Sequence, residues 1–126
     1  VAREGYVAID FYDGSILYDF ETHRTTVCDI DFFWKQPCVN DMGRMWGSSR
    51  FQAPEEYRLG AEIDEITNVY TAGAFAFALF GGYSRRPEDW TLSEALFRVA
   101  ARAVTDERKG RQQSIRQLKK EWEDAL

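Results

Sequence analysis

Between Asn68 and Gly81 the chain reads Asn-Val-Tyr-Thr-Ala-Gly-Ala-Phe-Ala-Phe-Ala-Leu-Phe-Gly. It is uncharged from Val69 to Phe80, and apolar or small residues fall on every side of a helix drawn through it. A helix that is hydrophobic all round belongs in an interior. Spanning a bilayer takes about 20 apolar residues, and this run is shorter. The expectation is therefore a core helix over about 64–80, with other segments docked on all its sides. Ala72, Gly73, Ala74, Ala76 and Ala78 leave room for close neighbours, and Phe75, Phe77, Leu79 and Phe80 supply large apolar surfaces.

At 126 residues the chain is one domain or part of one. Its residues are 44% hydrophobic and 15% aromatic, enough to fill a core. Sixteen Lys and Arg against 21 Asp and Glu give a formal charge of −5. That balance argues against a nucleic-acid binder held by phosphate contacts. Cys28 and Cys38 are the only cysteines, too few for a zinc spacing or a secreted disulfide framework, so the expected compartment is the reducing cytoplasm. Val1-Ala-Arg-Glu-Gly-Tyr6 has neither the apolar core of a signal peptide nor a Met, so the chain reads as a stretch of a longer parent.

Gly5–Asp10 reads as a short extended segment entering a loop at Asp13-Gly14. Ile16–Phe20 and Thr25–Phe32 are rich in strand formers and read as a hairpin over 16–32, closed through Glu21–Arg24, with His23 solvated in the turn. A period of two would put Cys28, Ile30 and Phe32 on one face and Asp29 and Asp31 on the other. From Phe33 to Arg50 no period is sustained, and a long irregular loop is expected. Pro54 opens a short helix that Gly60 ends, and the carboxylates of Glu62–Ile66 suit the N-terminus of the central helix. After a charged connector and Trp90, Thr91-Leu-Ser-Glu94 has the form of a capping box, as does Ser114-Ile-Arg-Gln117. Two amphipathic helices follow from them, at about 91–104 and 114–126.

Asp10, Asp13, Asp29 and Asp31 bracket the hairpin, and two or more of them converging on its end would suit a divalent cation. Their order along the chain carries more information. Asp10-Phe-Tyr-Asp-Gly-Ser-Ile-Leu17, then a hairpin, is followed by Ile30-Asp-Phe-Phe33 and by Gly47-Ser-Ser-Arg-Phe-Gln-Ala-Pro-Glu55. Asn68-Val-Tyr-Thr-Ala-Gly73 and Asp106-Glu-Arg-Lys-Gly-Arg111 complete the series. In order and spacing this series resembles the large C-terminal lobe of a protein kinase, over nearly the whole chain.

The resemblance implies an α+β, mainly α, fold: helices packed around a buried central helix, with one β-hairpin. It implies a catalytic loop at 8–17 and an activation segment at 31–55, with the N-lobe absent from the chain. The implied reaction is Mg²⁺-dependent transfer of the γ-phosphate of ATP to a Ser/Thr or other hydroxyl, on a protein or a small molecule. By position Asp10 matches the base, Asp31 the Asp that holds Mg²⁺ against the phosphates, and Ser15 the residue serving the second metal. Ser48 matches the residue of the loop that receives the substrate, and Glu55 is implied to pair with Arg111.

Ala8-Ile9 stands where the family has His-Arg, and Tyr12 stands for Lys. Ser15 replaces Asn, Phe33 replaces Gly, and Asn68 replaces Asp. These departures keep a second reading open, a pseudokinase that binds or scaffolds without catalysis; a third is an unrelated acidic metal-binding domain. Neither a Gly-rich loop nor a strand Lys with its partner Glu occurs in the 126 residues. The chain by itself is accordingly expected to be inactive, to need an N-lobe or other upstream segment as partner, and to self-associate through apolar surface left uncovered.

Overall fold

The computed structural model describes residues 1–126. Its central helix, α1 (Glu65–Phe80), starts where Asp64 Oδ1 accepts the Ile66 N–H at 2.9 Å and Thr67 Oγ1 accepts the Asp64 N–H at 3.3 Å. Such a cap satisfies amides that the first turn leaves orphaned, and is worth about 1 kcal/mol. Two shorter helices, α2 (Glu94–Ala103) and α3 (Ile115–Asp124), are capped by Ser93 Oγ and Ser114 Oγ. Each lays its apolar stripe against α1, so that Val69, Ala103 and Leu118 are buried together. Beside them Phe77, Phe80, Trp90, Phe97 and Trp122 form an aromatic cluster with centroids 5.2–6.5 Å apart.

The strands form three antiparallel pairs. β1 (Tyr6–Ala8) and β4 (Phe33–Lys35) pair with Val7 opposite Trp34; β2 (Ile16–Asp19) and β3 (Arg24–Val27) form a hairpin. β5 (Cys38–Val39) pairs with β6 (Glu62–Ile63). Val7, Ile9, Met45 and Ile63 make a second small core where the first and third pairs meet, flanked by Phe32, Trp34 and Cys38. The architecture is thus α+β, with three helices at one end and short sheets at the other. No helix is long and apolar enough to cross a membrane.

Four expectations are corrected. The hairpin ends at Val27, not Phe32, because Asp29 takes a left-handed φ of 55° that no strand accommodates. Cys28, Ile30 and Phe32 consequently share no strand face. The stretch 33–50 is not irregular throughout: β4 and β5 lie in it, and Asn40 ties its loop down, donating to Gly43 O at 2.5 Å and Glu55 O at 3.2 Å. The second helix starts at Glu94 rather than 91, since Thr91 turns its hydroxyl back onto Phe80 O at 2.8 Å. Finally, segments of this chain do not dock on all sides of α1, and apolar surface is left uncovered, as expected of the chain by itself. The surrounding helices have one apolar stripe each, and an open groove of about 570 Å³ remains, lined by Ala72, Phe75, Ala76, Leu79, Ile115 and Trp122 among others; Leu79 is 70% exposed.

Gly73 sets how closely α1 and α2 approach. A methyl group there would lie 2.6 Å from Ala103 Cβ and 3.2 Å from Ala100 O, neither of them the end of a flexible side chain. Alanine gains about 1 kcal/mol over glycine in a helix interior, whereas overpacking costs about 1–3 kcal/mol. With backbone as the obstacle the clash outweighs propensity, so Gly73→Ala should lower the unfolding free energy by about 1 kcal/mol or more in a urea titration. A raised urea midpoint would show that α2 can step away without cost.

Candidate active site

Asp10 follows β1 directly. Val7 and Ile9 are buried and fix the strand, and Asn68, projecting from α1, grips it from the other side. Asn68 Oδ1 accepts the Ala8 N–H at 2.8 Å and Asn68 Nδ2 donates to Tyr6 O at 3.1 Å. A side-chain amide thus supplies the two bonds a neighbouring strand would make. Asp10 then leaves the strand with φ 56°, a conformation Asp tolerates better than most residues, and sits half-buried. Burial first, and the nearby Asp29 carboxylate second, raise its pKa above the ordinary value. Either cause makes it a stronger base than a solvated aspartate.

Phe11 packs on Phe75 of α1 at 5.0 Å and on Phe33 at 6.0 Å, carrying the loop into a tight turn at Asp13–Ser15. Ser15 is fully buried there. Its Oγ accepts the Tyr12 N–H at 3.4 Å and its carbonyl accepts the Cys28 N–H at 2.9 Å. Enclosed in this way, the Ser15 hydroxyl does not fit as a metal ligand. Asp31 is exposed on the turn closed by Phe33 N–H to Ile30 O at 3.1 Å. It fits as a single carboxylate ligand to an ion whose other oxygens come from phosphates and water. Asp10, Asp13, Asp29 and Asp31 do not converge as a group, and no three Asp, Glu, His or Cys side chains gather into a metal cluster. Asp29 faces Asp10, and Asp13 is taken by the Tyr83 hydroxyl.

Ser48 begins the turn in which its carbonyl accepts the amides of Phe51 and Gln52, at 2.9 and 3.2 Å. Gly47 has φ 143° and Gln52 folds over it, within 3.2 Å of where a Cβ would sit, so only glycine suits the position. The Phe51 ring rests on Phe75 at 4.7 Å, so the loops carrying Asp10 and Ser48 are seated on one ring of α1.

Glu55 and Arg111 form a bidentate pair, Nη1 to Oε1 at 2.7 Å and Nη2 to Oε2 at 3.0 Å, with both side chains no more than 1% exposed. The remaining Arg111 donors reach Thr105 O, Asp106 O and Ile66 O. Thr67 Oγ1 donates to Glu55 at 3.0 Å. Burial works against ionisation of Glu55, but the hydrogen bonds and charge of Arg111, with help from Thr67, outweigh it and hold the pKa below the ordinary value.

Sequence reasoning missed two members of this cluster. Arg108 bridges Glu55 at 2.9 Å and Asp64 at 2.7 Å. Glu56 is 3% exposed, and its Oε2 accepts the Ala53 N–H at 2.6 Å. Burial is the main cause that pushes the Glu56 pKa up to about 7, and the Glu55 charge adds to it. The available signal was the spacing Ala53-Pro-Glu-Glu56, which returns a Glu to the first amide of a Pro-initiated turn.

Removing one partner of a buried pair leaves an uncompensated charge, so Arg111→Ala should cost about 3–5 kcal/mol, read as a drop in urea midpoint. Glu56 gives stability a pH slope of definite sign. The unfolded chain releases this proton above about 4.5 and the folded chain holds it to about 7, so the folded state binds more protons between those values. Stability should therefore fall as pH rises through that window, by up to about 1.4 kcal/mol per unit, and Glu56→Gln should flatten the slope. Urea midpoints at pH 5, 6 and 7 measure it. Glu55 acts in the opposite sense, its contribution being lost as pH falls through its lowered pKa.

No protein-family model matches this sequence, and no curated protein is detectably similar to it.

Proposed function

We propose that the chain is the large lobe of a protein-kinase-like phosphotransferase that moves the γ-phosphate of ATP to a Ser/Thr or other hydroxyl. The observation that carries this reading is Asn68. From the central helix it makes two main-chain bonds to the strand that delivers Asp10, at the position where the kinase family uses Asp for the same anchoring. The Glu55–Arg111 pair supports the same alignment from the other end of the activation segment.

In this reading Asp10 accepts the proton of the acceptor hydroxyl, and its raised pKa suits the task. Ser48 lies in the loop that would line the acceptor. Asp31 would hold Mg²⁺, which when bound neutralises charge on the phosphates. The phosphate-covering loop and the lysine that the 126 residues lack would come from an N-lobe or other partner segment. The open face of α1 is the surface through which we propose self-association, or covering by that segment. The two free cysteines suit the cytoplasm.

A second reading, a pseudokinase that binds or scaffolds, is favoured by Ser15. Its hydroxyl is enclosed in its own turn and so removed from metal ligation.

The two readings part on one experiment. With γ-labelled ATP, Mg²⁺ and dephosphorylated casein as acceptor, Asp10→Asn and Asp31→Asn in the intact protein should each reduce transfer at least about 10²-fold, with unfolding midpoints unchanged. Transfer undiminished in both variants would remove the phosphotransferase reading. Nucleotide binding without transfer in the unmodified protein would favour the scaffold.

A further inference from the structure

Tyr83 lies just beyond α1 and has no role in the chemistry described above. Its backbone stands at φ 68°, rare for a bulky residue, and is held there by its amide bonded to Phe77 O at 3.1 Å. From this fixed base the ring reaches two loops distant in sequence. The hydroxyl donates to Asp13 Oδ2, in the turn three residues after Asp10. The Arg50 guanidinium, two residues after Ser48, lies over the ring face at 4.7 Å, and Phe51 meets it edge-on at 6.5 Å. Asp13 Oδ1 meanwhile accepts the Gly14 N–H at 3.0 Å, so one carboxylate both closes its own turn and takes the tyrosine.

The loops already share the Phe75 ring, but that contact is apolar and has no preferred register. Tyr83 adds direction, because a hydroxyl–carboxylate bond and a cation–π contact each weaken when their partners shift. Backbone held in a sparsely populated conformation persists where the surrounding structure over-determines it, and such residues gather at functional sites.

We infer that Tyr83 is a positioning residue: through Asp13 on one side and Arg50 on the other it locks the Asp10 loop to the Ser48 loop. On the phosphotransferase reading, that lock sets the distance between the base and the bound acceptor hydroxyl. Asp10 lies in the turn after the chain's first strand and Ser48 in a loop after its fifth, and no hydrogen bond or ion pair joins their loops directly. Where Phe75 offers both loops only an apolar face, Tyr83 engages one by a hydrogen bond and the other by a cation–π contact.

The test uses Tyr83→Phe, which keeps the ring and removes the hydroxyl, beside Asp13→Asn, which keeps an acceptor but lowers its charge. Amide exchange in the intact protein reads the two loops separately, at Ser15, bonded to Tyr12 O, and at Phe51 and Gln52, bonded to Ser48 O. Losing the hydroxyl should speed exchange at both sites by about tenfold, the worth of one hydrogen bond to a charged group. The Met45 amide, bonded to Glu56 O, and the amides of α1 should not change. In transfer assays with dephosphorylated casein, KM for casein should rise while KM for ATP holds. A merely structural loss would lower both loops and α1 together.

Exchange that speeds at one loop only, or at neither, overturns the lock, as does an unchanged casein KM in a protein that transfers phosphate. Coupled exchange in a protein with no transfer leaves the lock standing and removes the phosphotransferase reading. Transfer with uncoupled exchange does the reverse.

Discussion

A guanidinium and a carboxylate shut away from water hold this structure to one arrangement. Taking two such ions out of water costs several kcal/mol each, recovered only when every donor and lone pair is matched. At Glu55 and Arg111 the match requires the 53–57 turn, the 105–111 loop and the first turns of α1 to meet at fixed distances. Charge is counted closely there. Arg111 and Arg108 balance Glu55 and Asp64, which leaves Glu56 without a cation of its own. The buried group left over is the one that retains its proton to near neutrality.

Around that anchor, α1 divides its labour along its length. At about 1.5 Å per residue it is roughly 24 Å long, enough for two different jobs. Its first half is lined with buried polar groups that hook loops: Thr67 on Glu55, Asn68 on the first strand, Thr71 on Phe51 O at 3.5 Å. Its second half is apolar and takes the other helices through Gly73, Phe77 and Phe80. The directional bonds of the candidate site thus come from the first half, whereas apolar packing runs along the whole helix, from Val69 against Ala103 and Leu118 to Phe75 beneath the two site loops.

Legibility in the sequence follows the same division. The helices could be read because their signals are local: Ser114 caps within three residues, and the stripes of α2 and α3 repeat within a turn, although the cap of α2 is Ser93 and not Thr91. β4 and β5 could not, since each is short and exists through a partner far along the chain, Tyr6–Ala8 for one and Glu62–Ile63 for the other. The apolar run of α1 signalled burial but not its limit. What covers a helix depends on its neighbours' widths, and two narrow stripes leave Leu79 in water. Among candidate site residues, Asp10, Asp31 and Ser48 are proposed from motif order. The burial of Ser15 depends on how a three-residue turn closes, and composition says nothing of that.

The break in the hairpin after Val27 matters most for the proposed chemistry. A strand running on to Phe32 would have aligned Asp29 and Asp31 side by side on one solvated face. Instead Asp29 turns into the left-handed region and comes close enough to Asp10 to add to the rise in pKa that burial causes there, while Asp31 stays on the outer turn. The carboxylates are thereby given different environments, one partly buried beside a like charge and the other in water. Two acids whose surroundings separate them in this way can take different parts in one reaction, a base and a cation ligand, where a matched pair on one face could not.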